Sequence, residues 1–254
     1  EKYIDENTKF VGISNTFLNT RFEHSLFPNN YSLELIKEFK DEYGFKVILG
    51  GNRNSTNSII KNDYLNCIDL IVTGFADKAI LDIYDFFDHL KVEETGTHKI
   101  LHADKDPYTF NDFDKAQIVW EDNDHVFPGE ALPIEIARGC VFRCSYCFFP
   151  LNGKGKHSRY LKGANVIREE LMRNFNEYGI TTYDIMDDLL NDSVEKVEMI
   201  HKLFTSLPFK IRWTAYARPD LIIAHPHTLK LMEEAGCVAL RFGIEMFNPE
   251  SAKS

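Results

Sequence analysis

A regular alternation of short apolar strands and amphipathic helices fills the second half of the chain, and it constrains the fold more than any other feature. The predicted strands are residues 133–137, 182–186, 211–217 and 238–244. The predicted helices are residues 165–178, a second that follows Asp192 as its N-cap, and a third from Pro226 to Gly236 that buries Leu229, Met232 and Ala235. Parallel strands joined by helices predict part of a (β/α) barrel over residues 129–254, with its chemistry at the carboxyl ends of the strands.

Residues 1–97 show the same alternation of strands and helices, with fewer elements. Strands are predicted at residues 9–14, 46–51 and 69–74, and helices at residues 31–43 and 79–90. This alternation predicts a parallel sheet with helices on its faces, a Rossmann-like α/β domain. Because three strands are few for such a domain, we expect it to be partial, with its beginning outside this chain.

Residues 98–128 are predicted to connect the two α/β regions, because they are rich in Asp, Asn and His and lack sustained periodicity. The chain has 29 basic and 39 acidic residues, a net charge of −10. So acidic a protein repels phosphate backbones, which argues against broad nucleic-acid binding. The sequence contains no run of about 18 apolar residues that would form a membrane helix, and it does not begin with a signal peptide. We therefore expect a cytoplasmic protein.

Three of the five cysteines lie close together. Cys140, Cys144 and Cys147 fall within eight positions just after the first predicted barrel strand, whereas Cys67 and Cys237 stand alone and are expected to be structural. An odd number of cysteines without an export signal favours a metal site over disulfides. Three thiolates at this spacing can bind three irons of a four-iron cluster and leave the fourth iron open to a small chelating molecule.

Two alternative roles for the three cysteines compete with a cluster. The side chains could be buried apolar residues, although a loop with Arg and Gly is an unusual place for them. A zinc site could take His157 as its fourth ligand, although common zinc spacings use pairs of cysteines two residues apart.

The pattern CxxxCxxC, with Tyr146 before the last cysteine and on the first loop of a βα barrel, resembles the radical S-adenosylmethionine (SAM) superfamily over about residues 130–254. The predicted second barrel strand ends in Met186-Asp187-Asp188, where many members carry Gly-Gly-Glu. This ending, with residues 216–220 and 241–245, is closer to the cobalamin-associated branch of the superfamily. Either aspartate could make the contact that the family's acidic strand end makes with SAM.

The resemblance implies a cofactor and a reaction. A [4Fe–4S] cluster on the three cysteines would be chelated by SAM, and one electron would cleave SAM to methionine and a 5′-deoxyadenosyl radical. The electron would come from a donor of the flavodoxin or ferredoxin type, and the substrate is an unidentified molecule, small or otherwise. The protein would contribute positioning and the exclusion of water and oxygen.

The resemblance also implies roles for five residues outside the cysteines. Tyr146 would pack near the adenine, Asp187 or Asp188 would accept from the SAM ammonium group, Arg218 would meet a carboxylate, and Glu245 would meet ribose hydroxyls or the amino group. Each could instead be structural, as loop packing, a solvated strand end or an ion pair. The basic loop 153–160 could bind an anionic substrate or a reductase, or be a solvated loop.

The strands predicted in residues 1–97 resemble the later half of the cobalamin-binding domain that precedes the barrel in many radical SAM enzymes. The family's Asp-x-His-x-x-Gly motif, which supplies the lower cobalt ligand, does not occur in this sequence. The sequence therefore leaves open whether this region binds cobalamin.

The sequence as a whole predicts a radical SAM enzyme of unknown substrate, partial at both ends, since only 114 residues follow Cys140. Methylthiotransferases of this family carry three further N-terminal cysteines, whereas only Cys67 precedes Cys140 here. Cobalamin-dependent methyl transfer, or a rearrangement or other radical oxidoreduction, remains open. The alternative from another class is a non-catalytic binding module stabilised by zinc or an iron–sulfur cluster.

Overall fold

The computed structural model describes residues 4–14, 30–51, 66–95, 98–103, 113–144, 147 and 160–244. The chain forms two compact units, Glu1–Phe110 and Asn111–Ser254. The segment predicted as a connector is therefore divided between the two units, with its first residues in a strand of the first unit.

The first unit contains five described strands in one sheet. They are β1 (Phe10–Ser14), β2 (Lys46–Gly50), β3 (Leu70–Thr73), β4 (Glu93–Thr95) and β5 (His98–His102). In the order β1-β2-β3-β5-β4, the first four strands are parallel and β4 pairs with β5 in the antiparallel direction. The two last strands were not predicted, and β5 occupies the start of the predicted connector.

Helices cover both faces of this sheet. They are α1 (Asn30–Tyr43) and α2 (Ala79–Phe86). Val47 and Leu49 pack with Ile36 of α1, whereas Ile48 packs with Ile83 of α2. Alternate residues of a strand point to opposite faces, so a strand buried on both sides has to be apolar throughout. The predicted Rossmann-like α/β architecture is confirmed for this unit.

The second unit contains a four-stranded parallel sheet in the order β6-β7-β8-β9. The strands are β6 (Ala131–Ile134), β7 (Thr182–Ile185), β8 (Arg212–Ala217) and β9 (Cys237–Phe242). The helices are α3 (Ala164–Tyr178), α4 (Val194–Thr205), α5 (Pro219–Ala224) and α6 (His227–Glu234). All four strands were predicted, with shifted ends, and α5 was not.

The two faces of the second sheet differ in character. The helix-covered face is an apolar core whose largest fully buried side chains are Trp213 and Tyr183. On the other face, Asp184 accepts a hydrogen bond from Thr214 Oγ1 at 2.8 Å and forms an ion pair with Arg241. Parallel βα units with one apolar face and one polar face fit the predicted partial barrel.

Three local predictions in this unit were wrong. The N-cap of α4 is Ser193, whose Oγ accepts from the Lys196 backbone N–H at 3.2 Å, and not Asp192. Leu229, predicted to be buried, is 45% exposed, whereas Met232 and Ala235 are buried as predicted. Helix α5 lies between β8 and α6, where the sequence pattern predicted no element.

The two cysteines predicted to be structural differ in their surroundings. Cys67 is buried in the core of the first unit, and Cys237 is partly buried at the start of β9. In the part of the chain that the structure describes, no helix has the length and apolar character needed to cross a membrane.

Candidate metal and cofactor site

The cysteine loop leaves the sheet at the carboxyl end of β6. Gly139 has a φ of +96°, a left-handed conformation that glycine adopts without steric cost, and it turns the chain into Cys140. Further along, the Cys147 N–H donates to the Cys144 carbonyl at 3.1 Å, which holds the backbones of these two cysteines close together. All three are partly buried thiols on one loop. The sequence therefore predicted the place of this loop at a strand end, and metal binding by its three thiols stays a prediction.

Carboxylates from the loop after β7 help to raise the pKa of the Cys140 thiol. Burial is the main cause that raises the pKa of the Cys140 thiol, and the negative charges of Asp188, Asp192 and Cys144 raise it further. Each contribution requires proximity, because Coulomb energy falls with distance. Asp188 and Asp192, which follow β7, therefore lie near Cys140.

The donor set fits an iron–sulfur cluster by its chemistry. Soft thiolates are the ligands that such clusters use, and three of them lie on one loop at the reactive end of a parallel sheet. Within the described residues, no three His, Cys, Asp or Glu side chains lie close enough together to hold a metal ion. The three cysteines therefore agree with a cluster in the type of ligand, but not in the distances between their sulfurs.

The two aspartates after β7 have different surroundings. Asp187 is 1% exposed, and its Oδ1 accepts the backbone N–H groups of Ile136 and Ala137, each at 2.8 Å. Its Oδ2 lies 2.8 Å from the Lys196 Nζ. Asp188 is only partly buried, and burial together with the charges of Asp187 and Glu135 raises its pKa. Asp187 is therefore committed to internal contacts, and Asp188 is the more accessible carboxylate.

A buried lysine, which no sequence motif marks, holds this part of the site together. The Lys196 side chain is fully buried, donates to the Leu189 carbonyl at 2.9 Å and lies 3.8 Å from Asp192 Oδ1. Burial, and secondarily Asp187, raise the pKa of Asp192 to about 6, while Lys196 opposes that rise. Asp187, Asp192 and Lys196 thus form one buried charged cluster.

Arg218, at the end of β8, also reaches the cysteine loop. Its guanidinium lies over the Phe142 ring, with the Cζ 4.1 Å from the ring centroid, and its Nη1 lies 3.8 Å from Cys144 Sγ. It also pairs with Asp220 at 2.7 Å. The structure therefore brings this predicted site residue to the cysteines.

Some predicted features lie outside the described residues. These are Tyr146, Glu245 and residues 153–159 of the basic loop. Their expected roles stay predictions. Tyr160, the last residue of that loop, is described, and burial raises the pKa of its hydroxyl, with the charge of Asp192 as the next cause.

In the first unit, polar side chains meet at the carboxyl ends of the parallel strands. The Thr73 hydroxyl and His102 Nδ1 lie 2.9 Å apart, and His102 Nε2 lies 2.9 Å from Glu93 Oε2. Both members of the His102–Glu93 pair are more than half exposed. Ligands of doubly wound sheets bind beyond this edge, so this is where the unit would meet one.

Comparison with known proteins gives one family match. Residues 134–254 match the model of the radical SAM superfamily. No curated protein matches the chain.

Two solved structures of a cobalamin-dependent S-adenosylmethionine radical enzyme, OxsB, are similar to the chain. The apo, selenomethionine-labelled form is 16% identical, with a TM-score of 0.60 over 97% of this chain and 36% of that one. The form with aqua-cobalamin and S-adenosylmethionine is also 16% identical, with a TM-score of 0.44 over 98% of this chain and 45% of that one. The chain thus spans about a third of the apo enzyme, and the likeness to that form concerns the fold.

Proposed function

We propose that this chain, whose residues 134–254 match the model of the radical SAM superfamily, holds a [4Fe–4S] cluster on Cys140, Cys144 and Cys147 and cleaves SAM reductively. The observation that carries the proposal is the position of the thiols: they lie on one loop at the carboxyl end of β6, and carboxylates from the end of β7 influence Cys140. When bound, the cluster would supply the electron that splits SAM into methionine and a 5′-deoxyadenosyl radical. The substrate of that radical is unidentified.

Of the two aspartates, Asp188 is the one we assign to the SAM ammonium group. The oxygens of Asp187 are engaged by Ile136, Ala137 and Lys196. Asp188 stands beside other negative groups, so a cation is its favourable partner. A charge-assisted hydrogen bond would then fix the amino end of SAM beside the cysteines.

The remaining cofactor and partner are proposed from the family. An external one-electron donor of the flavodoxin or ferredoxin type would reduce the cluster. Cobalamin would lie beyond the strand ends of the first unit, near Thr73 and His102. A change in the absorption spectrum of added aquacobalamin, lost in His102→Ala, would support that binding, and an unchanged spectrum would contradict it.

Anaerobic reconstitution with iron and sulfide tests the cluster. We expect a brown protein with about four irons per chain, and loss of the colour in Cys140→Ala, Cys144→Ala and Cys147→Ala. Cys67→Ala and Cys237→Ala are matched controls that should keep it. Zinc bound without sulfide would instead favour the alternative, a metal-stabilised binding module.

Addition of SAM tests the cofactor. SAM should change the electron paramagnetic resonance spectrum of the reduced cluster, and dithionite should then yield 5′-deoxyadenosine. Asp188→Asn should weaken the spectral effect, while Glu195→Gln, an exposed acid on α4, should not. A spectrum that SAM leaves unchanged would contradict the proposal.

A further inference from the structure

Pro219 and Asn191 restrain the backbone of Arg218 independently of its side-chain contacts. Arg218 precedes Pro219, and a residue before proline is restricted to extended conformations, here φ −100° and ψ 127°. The side chain of Asn191 then binds both of its backbone groups. Asn191 Nδ2 donates to the Arg218 carbonyl at 3.0 Å, and the Arg218 N–H donates to Asn191 Oδ1 at 2.9 Å.

Two contacts fix the guanidinium plane. Nε and Nη2 donate to the two carboxylate oxygens of Asp220 at 3.0 and 2.7 Å, the fork geometry in which arginine holds a carboxylate most specifically. One face of the guanidinium lies on the Phe142 ring. Because Asp220 is only two residues away, the sequence Arg-Pro-Asp orients this cation locally.

The third nitrogen is left to point at a cysteine sulfur. Arg218 Nη1 lies 3.8 Å from Cys144 Sγ, within the range of an N–H···S hydrogen bond. Hydrogen bonds to the sulfurs, net charge and exposure set the reduction potential of iron–sulfur clusters. A cationic donor on a ligand sulfur stabilises the reduced state, since that state carries one more negative charge.

We propose that Arg218 is a positioning residue that tunes the cluster: by donating to Cys144 Sγ it raises the reduction potential and eases electron uptake. This inference rests on the proposed function, because it requires Cys144 to be a cluster ligand. It differs from the role of carboxylate ligand expected from the sequence, and Asp220 already occupies two of the guanidinium nitrogens. The step it affects is the addition of one electron from a reductant, with no bond made or broken.

A redox titration of the reconstituted protein tests the inference. With dithionite as reductant, Arg218→Met should lower the equilibrium constant for one-electron reduction about tenfold or more, and tenfold is 59 mV. Arg212→Met is the matched control, because Arg212 is an exposed arginine at the opposite end of β8, and it should leave the potential unchanged.

The sign of a second variant separates tuning from mere support of the loop. Asp220→Asn removes the neighbouring negative charge but keeps the guanidinium, so the potential should rise, opposite to the effect of Arg218→Met. If the pair served only to brace the loop, both variants would shift the potential in the same direction, and that result would overturn the inference.

The remaining outcomes distinguish this inference from the proposed function. Full iron content in Arg218→Met with the potential of the parent protein would overturn the inference alone. A parent protein that takes up no iron and sulfide would overturn both. If Arg218→Met retains no cluster, Arg218→Lys decides. It keeps the charge without the fork, and it should lower the equilibrium constant for one-electron reduction by less than tenfold, which is less than 59 mV. A larger drop in Arg218→Lys would overturn the inference.

Discussion

Replacing Lys196 with methionine should destabilise the second unit severely. Lys196 Nζ lies 2.8 Å from Asp187 Oδ2, and neither side chain is exposed to solvent. Methionine fills much of the same volume but carries no charge, so the variant leaves the Asp187 carboxylate buried without its cation. Breaking a buried ion pair in this way costs about 3–5 kcal/mol.

Urea unfolding followed by tryptophan fluorescence measures this effect. Both tryptophans, Trp120 and Trp213, belong to the second unit, so the signal reports on that unit. Lys202→Met is the matched control, because Lys202 is an exposed lysine on the same helix, and its effect should stay within about 0.5 kcal/mol. The double variant Asp187→Asn with Lys196→Met should recover part of the loss. A change below about 1 kcal/mol at pH 7 would refute the reasoning.

Two further predictions concern stability. The pKa of Asp192 is raised from 3.8 to about 6 in the folded protein. Its contribution to the free energy of unfolding is therefore fully present below pH 4 and is lost as the pH rises through 6. Relative to the parent protein, Asp192→Asn should therefore be more stable at pH 7 than at pH 4 by up to about 3 kcal/mol. Urea unfolding of both proteins at the two pH values checks this. A stability difference that does not depend on pH would contradict it. Gly236→Ala should destabilise more than Gly179→Ala: both glycines have positive φ, but only at Gly236 would a Cβ lie 2.0 Å from a backbone oxygen, that of Ile211. Equal thermal shifts would show that the backbone at Gly236 relaxes.

The strands were predictable where their residues form continuous apolar runs. β2, Lys46–Gly50, is buried on both faces, and its sequence is correspondingly apolar. β5 was missed because only Ile100 and Leu101 among its five residues are strongly apolar. Its place in the sheet depends on pairing with β3, which a local pattern does not reveal.

The candidate site was predictable only in part. The sequence predicted the place of the cysteine loop after β6, and the role of its three thiols as ligands stays a prediction. Lys196 was not predicted because a lysine on a helix is ordinarily exposed. The sequence does hold a signal that distinguishes the two aspartates. Asp187 continues the alternation of the buried residues Tyr183 and Ile185, which places it on the interior side, and Asp188 falls on the other.

The position of Asp187 has a thermodynamic consequence for the whole site. Its carboxylate joins the end of β7 to Ile136 and Ala137, only a few residues before Cys140, so the two loops share one mechanical anchor. Under the proposed function, a ligand at Asp188 that restrains Asp187 would also restrain the start of the cysteine loop through the same two hydrogen bonds. Linkage would then require that any strengthening of binding be mutual between the two strand ends.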